Sequence, residues 1–159
     1  VKENIFNIIN HSKKINVEIK IANILDLYSG IGSFGLECIS REAEKVTFVE
    51  HDIEAVKILN QNINHLSAFK NTKIFNYKIE EFIKKKILDK YDIIFLDPPF
   101  ADENIISNLK ALKLKKIYKR EHMLIIHRSV YSKENLDLII NQTIVKTYGK
   151  SKIIFGNFF

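Results

Sequence analysis

The sequence predicts an α/β fold in which a mostly parallel sheet carries helices on both faces. Short apolar runs of strand length alternate along the chain with longer amphipathic segments, which is typical of a three-layer α-β-α sandwich. Near the end, two β-prone stretches at 143–148 and 152–155 are separated by only three residues. Because that gap is too short for a helical crossover, we expect an antiparallel hairpin at one side of the sheet.

The remaining elements follow from hydrophobic spacing. Residues 1–9 are predicted to form an opening helix, because Ile5, Ile8 and Ile9 share one face. Further apolar spacing with polar outer faces predicts helices at 34–41, 53–66, 79–88 and 103–112. The five apolar runs between these helices are predicted as the parallel strands, at 24–28, 46–49, 73–75, 93–96 and 123–126.

Length and composition fit one domain that spans residues 1–159. Hydrophobic residues make up 46% of the chain and charged residues 28%, and no apolar run approaches the roughly 18 residues that a membrane span needs. The net charge of +6 favours a polyanionic partner, although biased base content in the genome would also produce a lysine-rich chain. The single cysteine, Cys38, excludes an internal disulfide and a cysteine-based zinc site, so we expect a cytoplasmic protein without a metal. Because the chain opens at Val1, already within a predicted helix, we expect an N-terminal segment to be missing.

A glycine-rich turn follows the first predicted strand and leads directly into a helix. Glycines allow the backbone to approach a ligand closely, and the NH groups at a helix start favour a negative group on that ligand. The spacing of the three glycines is that of a dinucleotide-binding loop, and Glu50 follows at the distance expected for an acid that binds a ribose. The candidate ligand residues of this turn are Asp26, Tyr28, Ser29, Gly30, Gly32, Ser33 and Gly35.

Asp26 distinguishes between two possible ligands of this turn. A carboxylate at the strand end would repel the pyrophosphate of a nicotinamide dinucleotide. S-adenosylmethionine has no phosphate and carries an ammonium group that Asp26 can attract, while loop NH groups take its carboxylate. Glu50 would accept the ribose hydroxyls of either ligand. For the adenine ring the candidates are His51 and the backbone of Lys78 and Ile79, which follow the third strand.

The fourth predicted strand ends in Asp97-Pro98-Pro99-Phe100, a sequence suited to binding a planar amine. Two consecutive prolines fix the backbone, so the Asp97 carboxylate and the Pro98 carbonyl would be presented in fixed directions to accept both amine hydrogens. Phe100 would stack on the ring that carries the amine. By accepting those hydrogens, Asp97 and Pro98 favour a pyramidal nitrogen that can attack a methyl group.

These motifs together resemble the class I S-adenosylmethionine-dependent methyltransferases that act on exocyclic amines of nucleic-acid bases. More closely, the opening VKENIFN resembles the V-R-E-x-L-F-N helix of the RsmD family, which methylates a guanine N2 amine in 16S ribosomal RNA. The likeness continues through Gly35-Leu36-Glu37, Ser40-Arg41, Phe48-Val49-Glu50, residues 97–100 and Tyr148-Gly149.

The resemblance implies a Rossmann-like fold with a seven-stranded sheet whose last strand is antiparallel. It also implies S-adenosylmethionine as methyl donor, and 16S rRNA or the assembling small ribosomal subunit as partner, bound by a monomer. The sequence departs from the family at Lys78, where Asp or Asn is usual, at His127, where an acidic residue is usual, and in lacking a basic segment before the first helix.

Other functions remain open from the sequence. A DNA adenine or cytosine amino methyltransferase, a protein glutamine methyltransferase, a nicotinamide-dependent oxidoreductase and a non-catalytic RNA-binding module share parts of these motifs. Within a nucleic-acid enzyme, a cluster of basic residues just beyond Phe100 is a candidate for holding phosphates near the site, against the alternative of a solvated helix face. The cluster comprises Lys110, Lys113, Lys115, Lys116, Lys119 and Arg120.

Overall fold

The computed structural model describes residues 2–159 and contains a seven-stranded sheet at its centre. The spatial order is β3-β2-β1-β4-β5-β7-β6, and β7 alone runs antiparallel to both of its neighbours. The predicted terminal hairpin and the predicted antiparallel last strand are therefore confirmed. The strands are β1 (Asn23–Leu27), β2 (Lys45–Val49), β3 (Thr72–Phe75), β4 (Tyr91–Leu96), β5 (Tyr118–Ser129), β6 (Ile140–Tyr148) and β7 (Ser151–Phe158).

Five helices cover the two faces of this sheet. They are α1 (Lys2–His11), α2 (Ser33–Ser40), α3 (Ile53–His65), α4 (Ile79–Ile83) and α5 (Ile105–Lys115), and a single 3-10 turn (Phe69–Asn71) precedes β3. The apolar faces of α1, α2 and α3 join one buried cluster, and those of α4 and α5 join a second cluster across the sheet. Because each β-strand contributes side chains to both clusters, the strands are apolar on both faces, as the sequence predicts. None of the helices in residues 2–159 is both long enough and apolar enough to cross a membrane.

Helix α4 and strand β5 differ most from their predicted lengths. Helix α4 ends at Ile83 although helical spacing was predicted to Leu88, because Lys84, Lys85 and Lys86 leave no continuous apolar face beyond that point. Strand β5 begins at Tyr118, five residues before the predicted start, because its polar first half pairs irregularly with the beginning of β4. The predicted opening helix is observed over Lys2–His11, and its first residue, Val1, lies outside the described residues.

The order of strands creates a crevice between β1 and β4. From β1 the chain moves outward through β2 and β3, and it then returns to place β4 on the other side of β1. In open parallel sheets such a switch in strand order marks the place where ligands bind, at the carboxyl ends of the strands. Asp26 near the end of β1 and Asp97 directly after β4 lie at this edge.

Candidate active site

Two adjoining cavities open at the carboxyl ends of β1, β2 and β4. The smaller, of about 300 Å³, is lined by Asp26, the glycine-rich turn, Phe34 and the start of α1. The larger, of about 610 Å³, is lined by residues that follow β2, β3 and β4. Tyr28, Asp97 and His127 border both cavities, so the two spaces meet at these side chains.

Asp26 lies buried beneath the glycine-rich turn, with 1% of its surface exposed. Its Oδ2 accepts a hydrogen bond from the Gly35 amide at 3.1 Å, and its Oδ1 is buried without a partner in the part of the chain that the structure describes. Burial raises the pKa of Asp26 to about 8, and the nearby carboxylates Asp97 and Glu50 act in the same direction. A positive group placed in the smaller cavity would therefore favour the ionised form of Asp26.

The glycine-rich turn uses most of its own NH groups to hold its shape. The Gly30 amide donates to Glu50 Oε1 at 2.8 Å, and the Gly32 amide donates to the Ser29 carbonyl at 3.0 Å. Ser29 borders the smaller cavity, and its hydroxyl is buried without a partner among residues 2–159. The turn is thus held largely by protein contacts, while the amides of Ser33 and Phe34, which also border this cavity, have no acceptor within the described residues.

Gly32 and Gly35 border neither cavity. Gly32 adopts a φ of 89°, and a Cβ there would come within 2.4 Å of Leu59 on α3. A Cβ on Gly35 would come equally close to the Phe48 ring on β2. These two predicted ligand residues therefore permit close packing of α2 behind the turn, and direct ligand contact is not proposed for them.

Glu50 follows β2 and links three segments of the edge. One carboxylate oxygen binds Gly30 and the other accepts the Asp52 amide at 2.9 Å. His51 beside it is exposed, and both residues line the larger cavity together with Lys78 and Ile79. Lys78 is the residue that precedes the first turn of α4, and Ile79 begins that helix. The residues predicted to hold a ribose and an adenine are therefore neighbours in one cavity.

Asp97 projects from the end of β4 with 44% of its side chain exposed. Its Oδ1 lies 2.8 Å from Nδ1 of His127, which lies in β5 directly after the last residue that pairs with β4. The Phe100 ring meets the His127 ring edge to face, with 5.3 Å between ring centroids. Asp97, Pro98, Pro99 and Phe100 all border the larger cavity, so the predicted amine-binding motif shares that cavity with the predicted nucleoside-binding residues.

Arg128 anchors the loop that contains the two prolines. Its guanidinium, 4% exposed, donates to the carbonyls of Pro99 and Asp102, each at 3.1 Å. Glu134 balances the charge through two hydrogen bonds at 2.9 Å and 2.6 Å. The Asp102 amide also donates to the Pro99 carbonyl, at 2.9 Å. This buried ion pair fixes the loop conformation from below.

Tyr28 stands between the two cavities in an unusual backbone conformation. Its φ is 57°, in the left-handed region that non-glycine residues rarely adopt. Its hydroxyl accepts a hydrogen bond from the Asn108 amide at 2.9 Å, and burial raises the pKa of the phenol. Asn108 itself is 3% exposed, so helix α5 holds the Tyr28 side chain in place.

The basic cluster beyond Phe100 is not at the site. Helix α5 runs back toward the amino-terminal edge of the sheet, where β5 begins by pairing Tyr118 with Tyr91. Lys119 there forms an ion pair with Asp92 at 2.9 Å, and the Lys115 ammonium donates to a backbone carbonyl. For the lysines at the end of α5 and the start of β5, the solvated face is therefore favoured over a phosphate contact near the site, because the helix separates them from Phe100.

His127 and Arg128 are the site residues that the sequence left without a role. Both occur where a polar pair interrupts the apolar run of β5, at the same edge of the sheet as Asp97. A polar residue at the carboxyl end of a parallel strand is the signal that identifies them. Cys38 behaves as predicted, since it is fully buried within α2.

The amino-acid sequence is similar to that of a known protein family and of several methyltransferases. The model of a family described as conserved hypothetical protein 95 matches residues 1–157. A ribosomal RNA small subunit methyltransferase D of Buchnera aphidicola subsp. Baizongia pistaciae is 31% identical over 154 residues, which are 97% of this chain and 74% of the relative. The protein of that name from Buchnera aphidicola subsp. Acyrthosiphon pisum is 30% identical over 128 residues, 80% of this chain and 65% of the relative. The chain thus spans roughly two-thirds to three-quarters of these two relatives.

Solved structures match the whole sheet. A conserved hypothetical protein of Streptococcus pyogenes has a TM-score of 0.85 at 26% identity, with 99% of this chain and 95% of that chain covered. A chain of Escherichia coli that is provisionally named a methyltransferase has the same TM-score at 23% identity, with 99% and 83% covered. At that identity the second likeness concerns the fold alone.

Proposed function

Because this chain belongs to the conserved hypothetical protein 95 family, we propose that it transfers a methyl group to a base amine in ribosomal RNA. The resemblance to RsmD seen in the sequence is confirmed by the family match and by relatives named small subunit methyltransferase D. The Rossmann-like fold of class I methyltransferases is likewise confirmed. The methyl donor, the base and the roles of individual residues are the parts that we propose.

The observation that carries the proposal is the position of Asp97 where two cavities meet. One cavity holds Asp26 and the glycine-rich turn, and the other holds the Asp97-Pro98-Pro99-Phe100 motif. A group-transfer enzyme must bring a donor and an acceptor within reach of one another. Asp97 is bordered by both spaces and is therefore placed to act on an acceptor next to a donor.

The residues of the smaller cavity fit the amino-acid end of S-adenosylmethionine. Within residues 2–159, Asp26 Oδ1 and the Ser29 hydroxyl are buried polar groups without partners, and such groups are costly unless a ligand supplies a hydrogen bond. Asp26 would bind the ammonium group, and Ser29 and Ser33 would contact the carboxylate side. When bound, the cofactor supplies an electrophilic methyl group on a sulfonium.

The larger cavity fits the adenosine end. Glu50 would accept the ribose hydroxyls, since each of its oxygens holds only one hydrogen bond and keeps a free lone pair. His51 would lie against the adenine ring, and the backbone of Lys78 and Ile79 would meet its polar edge. Lys78 offers no side-chain acceptor for an adenine amine, so recognition on this side rests on main-chain groups.

The contacts of the turn argue against a pyrophosphate ligand. A dinucleotide would need free amides in the glycine-rich turn, but the Gly35 amide is held by Asp26 and the Gly30 amide by Glu50. The ionised form of Asp26 would also repel a diphosphate bound at this turn. We therefore favour methyl transfer over nicotinamide-dependent oxidation.

The acceptor amine would be oriented by Asp97 and Pro98. An aromatic amine is a weak nucleophile because its lone pair is delocalised into the ring. With one hydrogen bonded to the Asp97 carboxylate and the other to the Pro98 carbonyl, the nitrogen is drawn toward a pyramidal geometry. Phe100, 47% exposed at the cavity rim, would stack on the base, which has to leave its own stack to enter. The amine hydrogen on Asp97 is then in place to pass to that carboxylate after transfer.

The substrate follows from the family. The relatives' names specify small subunit ribosomal RNA, and the RsmD resemblance adds the exocyclic N2 amine of a guanine. We propose that 16S rRNA, free or within an assembling small subunit, is the partner of this chain. The other amines that such a motif accepts, in adenine, cytosine or glutamine, are alternatives that an assay can separate.

Two experiments test this proposal. Incubation with S-adenosylmethionine labelled on the methyl group, in parallel with small subunits, free rRNA, duplex DNA and a protein extract, should label rRNA alone. Label in DNA or protein would show that rRNA is not the substrate. The absence of label from every sample would show that the chain has no methyltransferase activity under these conditions. Calorimetry should detect binding of S-adenosylhomocysteine and no binding of NADH, whereas the opposite pattern would favour an oxidoreductase.

A further inference from the structure

His127 is joined to the proposed amine-binding group by the register of the sheet. Strands β4 and β5 pair Leu96 with Ile126, so the next residues, Asp97 and His127, emerge side by side at the carboxyl edge. The resulting contact is 2.8 Å between His127 Nδ1 and Asp97 Oδ1. His127 is 19% exposed in its side chain, whereas Asp97 is 44% exposed, so the histidine is the better fixed partner.

The contact with Asp97 identifies which ring nitrogen of His127 is the hydrogen-bond donor. A carboxylate oxygen only accepts hydrogen bonds, so Nδ1 of His127 carries the hydrogen. The opposite nitrogen, Nε2, is buried and has no partner among residues 2–159. The hydrogen of this contact is therefore carried by Nδ1, and His127 is the donor to Asp97.

The hydrogen-bond acceptors of the loop around Asp97 differ in whether the protein already occupies them. The Pro99 carbonyl already accepts hydrogen bonds from Arg128 and from the Asp102 amide. No side chain or amide among residues 2–159 donates to the Pro98 carbonyl or to Asp97 Oδ2. Two acceptors are thus left free, and they are the two that a planar amine requires.

From this geometry we infer that His127 is a positioning residue, which donates from Nδ1 to Asp97 Oδ1 and so aims Oδ2 at the substrate amine. An exposed aspartate otherwise samples several side-chain rotamers, and few of them direct an oxygen along a given line. Titratable side chains share both cavities with this pair: Lys2 and Asp26 in the smaller one, Tyr28 in both, and Glu50, His51, Tyr77, Lys78, Glu80 and Asp102 in the larger one. The inference rests on the proposed methyl transfer, and it names a residue whose type is unlike that usual in the RsmD family.

Two substitutions separate the hydrogen bond from the shape of the ring. His127→Phe keeps a planar ring against Phe100 and removes the donor, while His127→Asn places an amide NH2 near the position of Nδ1. We expect kcat to fall about 10- to 100-fold in His127→Phe, with the Kd for S-adenosylhomocysteine and the melting temperature close to those of the wild type. His127→Asn should recover kcat to within about threefold of the wild type.

A wild-type kcat in His127→Phe would overturn the inference. An equal loss of kcat in His127→Phe and His127→Asn, with the fold and cofactor binding intact, would overturn it as well. A second readout does not depend on turnover. The ¹⁵N chemical shift of His127 Nδ1 in the unliganded protein should be that of a protonated ring nitrogen. An unprotonated Nδ1 would contradict the positioning role, whereas a protonated Nδ1 in a wild-type chain that methylates no RNA would contradict the proposed function instead.

Discussion

Two aspartates, Asp26 and Asp97, lie at the carboxyl ends of neighbouring strands in opposite environments. Asp26 is 1% exposed, and burial raises its pKa to about 8. Asp97 has 44% of its side chain exposed, and one of its carboxylate oxygens accepts a hydrogen bond from His127. Both border the smaller cavity, and only Asp97 borders the larger one as well.

The contrast explains how one sheet edge can serve two ligands. A buried carboxyl that lacks a compensating charge gains most from a cation, which suits the ammonium group of a methyl donor. An open carboxylate with one oxygen already held is an oriented acceptor, which suits a neutral amine. Burial, rather than residue type, therefore assigns Asp26 to the cofactor and Asp97 to the substrate in our proposal.

Replacing Asp97 by alanine should give the largest effect. The variant loses an acceptor for the amine, and we expect methyl transfer to fall by at least about 10⁴-fold, equivalent to roughly 5.5 kcal/mol of transition-state stabilisation. The Kd for S-adenosylhomocysteine should stay within about threefold of the wild type, because Asp26 is intact. Single-turnover assays and calorimetry measure the two quantities, and retained transfer would exclude the assigned role of Asp97.

Replacing Arg128 by methionine should act on the Asp97 side through the loop. Glu134 would remain buried without its cation, and we expect the free energy of unfolding to decrease by about 3–5 kcal/mol. Arg120→Met is a matched control, because that arginine lies exposed on the same strand and should change stability by less than about 0.5 kcal/mol. Urea titrations measure both variants, and equal stabilities would show that the Arg128 ion pair does not hold the loop.

Replacing Asp26 by asparagine should affect the cofactor side. The ammonium group would lose its charged partner, so affinity for S-adenosylhomocysteine should fall about 10- to 100-fold, or roughly 1.4–2.7 kcal/mol. The folded protein retains a proton on Asp26 that the unfolded chain loses above its ordinary pKa of 3.8. The contribution of Asp26 to stability is therefore fully present below pH 3.8 and declines as the pH rises toward 8.

Asp26→Asn removes this decline. The stability of the variant relative to the wild type should therefore increase steadily between pH 5 and pH 8 in denaturant titrations, although the variant binds the cofactor less well. A constant difference across this range would show that Asp26 is already ionised in the unliganded protein.

The smallest expected effect is the release of a proton when the cofactor binds. At pH 7 the unliganded protein holds a proton on Asp26, and binding of an ammonium group should release close to one proton as the carboxyl ionises. Calorimetry of S-adenosylhomocysteine binding in buffers of different ionisation enthalpy measures this number. Asp97→Ala should release the same number as the wild type and Asp26→Asn almost none. If both variants released as much as the wild type, the proton would come from another group.

Many residues at this edge of the sheet could be predicted from the sequence, because the end of a strand is visible in the few residues around it. Asp26, Glu50 and Asp97 each follow an apolar run, and the carboxyl ends of parallel strands meet at one edge. The bond between His127 and Asp97 depends instead on the register of β5 against β4, which one sequence does not reveal. The packing roles of Gly32 and Gly35 likewise depend on α3 and β2, elements that lie apart from the turn in the chain.

The length of α5 explains why the two interpretations of the basic cluster could not be separated from the sequence. Residues that closely follow Phe100 in sequence need not be its neighbours, because a helix of 11 residues leads the chain to the opposite edge of the sheet. Proximity in sequence was therefore a poor guide to the position of the basic cluster. Strand polarity, by contrast, located each acidic residue of the site.

The most direct test of the account is nucleoside analysis of small-subunit rRNA after incubation with the chain and labelled S-adenosylmethionine. The account predicts that the label is recovered as N2-methylguanosine, and that it is absent when Asp97→Ala replaces the wild-type chain. Recovery of the label in a different nucleoside, or undiminished label with Asp97→Ala, would contradict it.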